Sequence, residues 1–184
     1  MTTQSVDNKV TDFSNYVTKV PSDADIVFFP SQKPGDAQSF AQQLVEQGKK
    51  AKVFGGDGTN DPTSFKAAGA YVSNFAPQIT GIPADKALIA AWKKDNKGKS
   101  VGSFGPPTYG AVQVMLMAIK NACDKGKGSL AKRGAVIQNV KKISVNNWIL
   151  GGKFTWGKEN TNDPASGKFY IMQIQSDGSY KVVN

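Results

Sequence analysis

Three short apolar runs, Ile26 to Phe29, Ala51 to Phe54 and Ala70 to Ser73, alternate with helix-forming segments, and this alternation limits the fold more than any other feature. The first run sits between Asp23-Ala24-Asp25 and Pro30, which suits a strand buried on both faces. Ahead of it, Asp12-Phe13-Ser14 can cap a short helix through Tyr16, Val17 and Val20. After Pro34-Gly35-Asp36, residues Ala37 to Gln47 carry Phe40, Leu44 and Val45 at helical spacing, and Gly48 stands where a C-terminal cap falls. The second run is broken by Gly55-Gly56-Asp57-Gly58; Asp61-Pro62 then offers an N-cap and a first-turn proline for a short helix, Phe65 to Ala68, ended by Gly69. Strand, helix, strand, helix, strand predicts right-handed crossovers and a mainly parallel α/β sheet, whose working loops lie at the carboxyl ends of its strands.

From Ile82 the texture changes. Pro83 to Lys94, Thr108 to Ala122 and Leu130 to Ile143 are three helical patterns with little strand signal between them, so a second unit begins near here. The tail then alternates in Gly151 to Trp156 and in Lys168 to Gln175, which predicts an antiparallel pair joined by a polar loop containing Asp163-Pro164 and Ser166-Gly167. Asp177-Gly178 marks a late turn before Tyr180 to Val183.

Composition removes whole classes of chemistry. The 184 residues contain no histidine and one cysteine, Cys123, which excludes internal disulfides, histidine- or cysteine-rich zinc sites, Ser-His-Asp triads and Cys-His dyads. The net charge of +9 raises nucleic acid as a partner, but nearly all of it is lysine, with Arg133 the only arginine. Planar bidentate recognition of phosphates and base edges favours arginine, so a solvated lysine surface is the better account. Lys93 to Lys99 and Lys125 to Arg133 read as solvated loops. No run approaches the roughly 18 apolar residues of a membrane span, and the first 24 residues hold no apolar block like a secretory core.

Among candidate functional residues, Asp57 stands out because it follows a strand and two glycines, where a parallel sheet presents ligand-facing groups. An Asp-Gly turn, or a cap for the helix beginning near Asp61, accounts for it as well. Gly55, Gly56 and Gly58 match neither phosphate-binding glycine string. Cys123 reads as a small buried hydrophobe, and Trp92, Trp148 and Trp156 as packing residues.

The order of segments resembles the carboxyl-terminal half of type I periplasmic binding proteins, especially the branched-chain amino acid receptors of ABC importers. The landmarks are VTDFSNYVTKV at 10 to 20, ADIVFF at 24 to 29, AQSFAQQLVEQG at 37 to 48, VFGGDG at 53 to 58, PTYGAVQVMLMAIKNA at 107 to 122, GGKFTW at 151 to 156 and FYIMQIQSDGSYKVV at 169 to 183. The resemblance implies a partial type I periplasmic-binding-protein fold: residues 1–81 as most of the second lobe, 82–150 as a helical segment of the first lobe, and 151–184 as the crossover and closing strands of the second. It also implies that the amino-terminal half, with the first lobe's sheet, is lacking.

Family resemblance assigns Asp57 to the ligand's ammonium group through a charge-assisted hydrogen bond. It places Ser31 and Gln32 against the ligand and sets Phe104 and Tyr109 at the cleft edge from the first-lobe side; a plain loop and hinge packing are the alternatives for these two pairs. Pro30-Ser31-Gln32 stands where the leucine-type pattern has an aromatic residue, which leaves room for a more polar ligand. The implied function is a non-enzymatic, extracytoplasmic solute receptor for an amino acid or similar small polar ligand, serving a membrane permease, with no cofactor and no nucleic acid. A ligand-sensing or dimerising module without a transport role is the alternative. Helices 108–122 and 130–143 carry apolar faces (Val112, Met115, Leu116, Ile119; Val136, Ile137, Val140) that the missing sheet would cover. Leaving about 400 Å² of them in water forfeits on the order of 10 kcal/mol at about 25 cal/mol per Å². Repacking onto the remaining lobe, or pairing with a second copy, is therefore expected.

Overall fold

The computed structural model describes residues 2–127, 132–157 and 167–183, so the expected loop residues Asp163, Pro164 and Ser166 lie outside it. The chain forms two compact units, one running to Phe75 and resuming at Phe169, the other spanning Ala76–Lys168.

The first unit is built on a five-stranded sheet in sequential order: β1 (Ile26–Phe29), β2 (Lys52–Gly55), β3 (Tyr71–Asn74), β4 (Tyr170–Ile174) and β5 (Tyr180–Val182). β1, β2 and β3 pair in parallel, Val27 beside Val53 and Gly55 beside Val72. β4 and β5 add antiparallel, with Asn74 beside Tyr170 and Ile174 beside Tyr180. The crossover from β1 to β2 is α2 (Pro34–Glu46), which starts on a proline and stops at Gly48, whose φ of 69° lets the Lys49 amide reach back 2.8 Å to the Leu44 carbonyl.

Alternation along the strands sorts side chains onto two faces. Val27, Phe29, Val53 and Val72 face α2 and the short α1 (Ser14–Val17), where Phe13, Phe40 and Leu44 are buried. Phe29 stacks on Phe40 at 4.7 Å between centroids and meets Phe13 edge-on at 5.5 Å. The helices are tied by polar contacts as well: Gln43 accepts from the Phe13 amide at 2.8 Å and donates to Asp12 at 3.1 Å. Asp12 also accepts from the Ser14 amide, which holds its carboxyl below the usual carboxylate range.

Three expectations need correction. β1 is not buried on both faces: Ile26 is 46% and Phe28 61% exposed, because β1 is the sheet's edge and only the α2 side is covered. Asp61-Pro62 does not start a helix over Phe65 to Ala68. The Asp61 carboxylate instead accepts from the Thr63 amide (2.8 Å) and hydroxyl (2.6 Å) and from the Ser64 hydroxyl (2.9 Å), closing a local turn that competes with helix growth. Gly151 to Trp156 does not pair with Lys168 to Gln175. Phe154 bridges Val145 instead, while Tyr170–Ile174 finds a larger partner surface on β3. β5 is pinned to the Asp61 turn by the Tyr180 hydroxyl, which donates to the Phe65 carbonyl at 2.8 Å; burial, and then the Asp61 charge, push that phenol well above its usual value.

The second unit is helical: α3 (Lys86–Asp95), α4 (Gly105–Lys125) and α5 (Arg133–Val140). Its core gathers Ile79, Val114, Ala118, Ile143, Val145, Trp148, Ile149 and Phe154. Trp148 brings the outer edge of its ring so close to α4 that a Cβ at Gly110 would collide with it, so this position requires glycine. Trp156 donates from Nε1 to the Val140 carbonyl at 2.7 Å, which holds the end of α5.

Asp85, at the N-terminus of α3 and only 6% exposed, has no partner for Oδ2 among the described residues, and burial pushes its carboxyl up from the ordinary value. An unsatisfied buried group costs about 1–3 kcal/mol, against about 0.3–1 kcal/mol regained from the helix dipole, so desolvation wins. The folded carboxyl keeps its proton to higher pH than the unfolded one; its contribution is whole below the unfolded pKa and is lost as pH rises through the folded one. Asp85→Asn is expected to raise stability by about 1 kcal/mol near pH 7 and to change little near pH 3, which thermal melts at both values check.

Candidate functional site

Parallel pairing places the carboxyl ends of β1, β2 and β3 along one edge of the sheet, and the loop after each strand begins there. After β1 comes Ser31, whose hydroxyl accepts from the Lys33 amide at 3.0 Å, followed by the exposed Gln32. After β2 comes a single 3₁₀ turn, Asp57–Thr59. β3 ends in the buried Asn74 and is followed by the exposed Phe75, whose amide donates to Asn74 Oδ1 at 3.0 Å.

The Gly-Gly-Asp-Gly string sets the turn after β2. Thr59 is fully buried under Gly55, where a Cβ would overlap its hydroxyl, and that hydroxyl donates to the Gly56 carbonyl at 2.8 Å. The Asp57 carbonyl accepts from the Asn60 amide at 3.0 Å. With the backbone held in this way, the half-buried Asp57 carboxylate is left with neither a cation nor a hydrogen-bond donor among the described residues. Gly58 meets the loop after β1: a Cβ there would stand 2.5 Å from Gln32 Oε1 and 2.7 Å from the Ser31 carbonyl oxygen. Ser31, Gln32 and the Asp57 turn therefore form one contiguous strand-end surface.

Asp57, Ser73, Asn74, Phe75 and Phe169 line a shallow depression of about 180 Å³. Sequence reading named Asp57 but missed the other four. Ser73 and Asn74 carry a usable signal, since they end the third parallel strand. Phe169 has none, because it reaches the site only through the pairing of β4 with β3 across nearly a hundred residues. Phe104 and Tyr109 belong to the other unit, at the N-cap and first turns of α4, and both are exposed. A larger concavity of about 400 Å³ lies between α2 and residues 67–70, but its walls are chiefly Ala41, Leu44, Val45, Ala51, Val53 and Ala70. Gln38, Gln42, Glu46 and Lys52 also line it, but it lies beside α2 and away from the carboxyl ends of the parallel strands, where sheets of this kind hold ligands. Among the described residues no three of His, Cys, Asp and Glu converge as metal ligands do.

A sequence profile of periplasmic binding proteins matches residues 2–179. The chain belongs to the periplasmic binding protein family. Solved structures agree on the fold. A leucine-binding protein from Thermotoga maritima is 19% identical with a TM-score of 0.74, over 96% of this chain and 49% of that one. A leucine-, isoleucine-, valine-, threonine- and alanine-binding protein from Brucella ovis is 22% identical, TM-score 0.70, over 96% and 47%. A fatty acid ABC transporter substrate-binding protein from Thermomonospora curvata is 19% identical, TM-score 0.75, over 97% and 47%. The chain thus spans about half the length of these solved relatives. No curated protein matches it.

In this family member the contact of Gly58 with the loop after β1 cannot be relieved by a side-chain rotation alone, because one obstacle is the Ser31 carbonyl. Gly58→Ala is expected to cost about 1–3 kcal/mol and to lower Tm by about 2–10 °C, read by calorimetry.

Proposed function

We propose that this periplasmic-binding-protein chain contributes one wall of an extracytoplasmic solute-binding site for an amino acid, as part of the substrate-binding component of an ABC importer. The unit carrying the sheet is then most of the second lobe, and the helical unit belongs with the first. The observation that carries the reading is the unpartnered, half-buried Asp57 carboxylate at the strand ends, beside the polar Ser73 and Asn74 and the rings of Phe75 and Phe169. A carboxylate so placed suits an ammonium group, with the ligand's side chain against the aromatic rim. Solved relatives with similar folds include proteins described as binding leucine or its near kin, which supports the amino acid class. Ser31 and Gln32, which stand beside Gly58, add hydrogen-bonding groups and favour a polar side chain over a purely aliphatic one. The mechanism is closure of two lobes over the ligand, a population shift with no covalent step, so the protein is not an enzyme in this reading.

The fatty acid class named for the Thermomonospora curvata relative is the specific competitor. A fatty acid has no ammonium group and would gain nothing from Asp57. Calorimetric titration with a panel of free amino acids, their N-acetyl derivatives and a medium-chain fatty acid separates the two. A charge-assisted hydrogen bond is worth about 1.5–3 kcal/mol, so Asp57→Asn is expected to weaken amino acid binding by roughly 10-fold or more, and N-acetylation to do the same. Fatty acid binding that Asp57→Asn leaves unchanged would overturn the assignment.

A further inference from the structure

Charge is divided unevenly along the chain. The helical unit, Ala76–Lys168, holds 15 Lys and Arg against 5 Asp and Glu, a net +10, whereas the sheet-bearing unit holds 8 against 9, a net −1. The densest cluster closes α3: Lys93, Lys94, Lys97 and Lys99, with Asp95 the single acid among them. All four lysines are exposed, and none of their ammonium groups is paired with a carboxylate among the described residues. The segment is a folded knuckle. Lys97 and Gly98 take φ of 53° and 79°, a left-handed conformation that lysine rarely adopts, and the chain doubles back so that the Gly98 amide donates to the Lys93 carbonyl at 2.8 Å. Asn96 Nδ2 donates to the Trp92 carbonyl at 2.9 Å, the Lys99 amide to the Asn96 carbonyl at 3.1 Å, and Trp92 Nε1 to the Ser100 carbonyl at 3.3 Å. The dipole at the C-terminus of α3 amounts to about half a charge, which Lys93 and Lys94 already offset, so it does not account for Lys97 and Lys99.

We propose that this knuckle docks on an anionic membrane surface, with its ammonium groups among the phospholipid phosphates and the Trp92 ring at the level of the headgroups. Charge complementarity carries the assignment. Lysine is a point charge on a long flexible stem, so it can follow a dense, fluid layer of negative headgroups without a fixed partner. Carboxylates fixed on a protein, and the phosphates and base edges of nucleic acid, favour the planar arginine fork, and the cluster contains no arginine. Trp92, 42% exposed at the base of the knuckle, supplies the amphipathic ring that settles at a membrane–water interface. The negative potential of such a surface reaches only about one Debye length, roughly 8 Å at physiological salt, so the lysines must be presented together. The backbone bond from Gly98 to Lys93 does this by folding Lys97 and Lys99 back against the helix end. The sheet-bearing unit, at net −1, has no comparable attraction to offer. The docking does not depend on what Asp57 binds.

The test is co-sedimentation of the whole chain with vesicles of phosphatidylcholine, alone or carrying about 30% phosphatidylglycerol. Binding is expected only with the anionic lipid, and it is expected to be released between about 0.1 M and about 1 M salt, where the screening length falls from about 10 Å to about 3 Å. The fourfold variant Lys93→Gln, Lys94→Gln, Lys97→Gln, Lys99→Gln is expected to keep its circular dichroism, since all four side chains are exposed, and to bind about 100-fold more weakly or worse. A matched variant, Lys9→Gln, Lys19→Gln, Lys50→Gln, Lys181→Gln, removes the same charge from the sheet-bearing unit and is expected to lose less than about 5-fold. Tryptophan emission is expected to shift to the blue on anionic vesicles in the wild type and not in Trp92→Phe. A wild-type chain that ignores anionic vesicles at about 0.1 M salt overturns the proposal, and equal losses in the two fourfold variants overturn the knuckle as its seat. Binding to a DNA duplex as tight as to anionic vesicles, and lost in the same Lys93–Lys99 variant, overturns the membrane and assigns the cluster to nucleic acid.

Discussion

Burial of one face of the parallel strands beneath α2 is the constraint on which the sheet-bearing unit depends. Phe13, Phe29 and Phe40 interlock with Leu44, Val53 and Val72 on that face. A strand shifted by one residue would exchange its buried and exposed side chains, so this packing fixes the register of β1 against β2. Register in turn decides function, because it aligns the strand ends and so brings Ser31, Asp57 and Asn74 to a common edge. The Asp57 carboxylate is available to a ligand because the tight turn beneath it satisfies the neighbouring backbone groups by itself.

The same packing leaves other surfaces bare. Phe28 lies on the uncovered face of β1, next to Phe54 at 6.1 Å and, beyond it, Tyr71, with Tyr71 receiving a hydrogen bond from Gln173. The second unit exposes a comparable band along α4. Exposed apolar patches of this kind mark surfaces that further protein, a ligand or a membrane covers. The helical unit does not collapse around its band, because Gly110 and Trp148 commit the opposite side of α4 to the core and a helix has only one face to give.

Local patterns made the strands, α2 and α4 legible in the sequence. The apolar spacing of Phe40 and Leu44 and the cap at Gly48 found α2, and the glycine string after β2 pointed to Asp57. What could not be read were consequences of distant pairing. Ile26 and Phe28 look like core by composition, and only their place at the sheet edge exposes them. The tail segments alternate like partners, yet Phe154 and Tyr170 belong to different units because Val145 and β3 offer each a better match. The turn at Asp61 failed as a helix start because its carboxylate spends its hydrogen bonds on Thr63 and Ser64. Periodicity found the long helices α2 and α4 but not the absence of a helix after Asp61; which residues rim the site was decided by strand order.

The account rests on a ligand meeting the strand ends at Asp57, and locating that contact residue by residue tests it most directly. The measurement is a nitrogen-15 amide spectrum of the chain during titration with L-leucine and L-asparagine. Shifts confined to residues 31–32, 56–60 and 73–75 are the predicted result. Shifts confined instead to Val45 and residues 67–70, which line the larger groove, would contradict it.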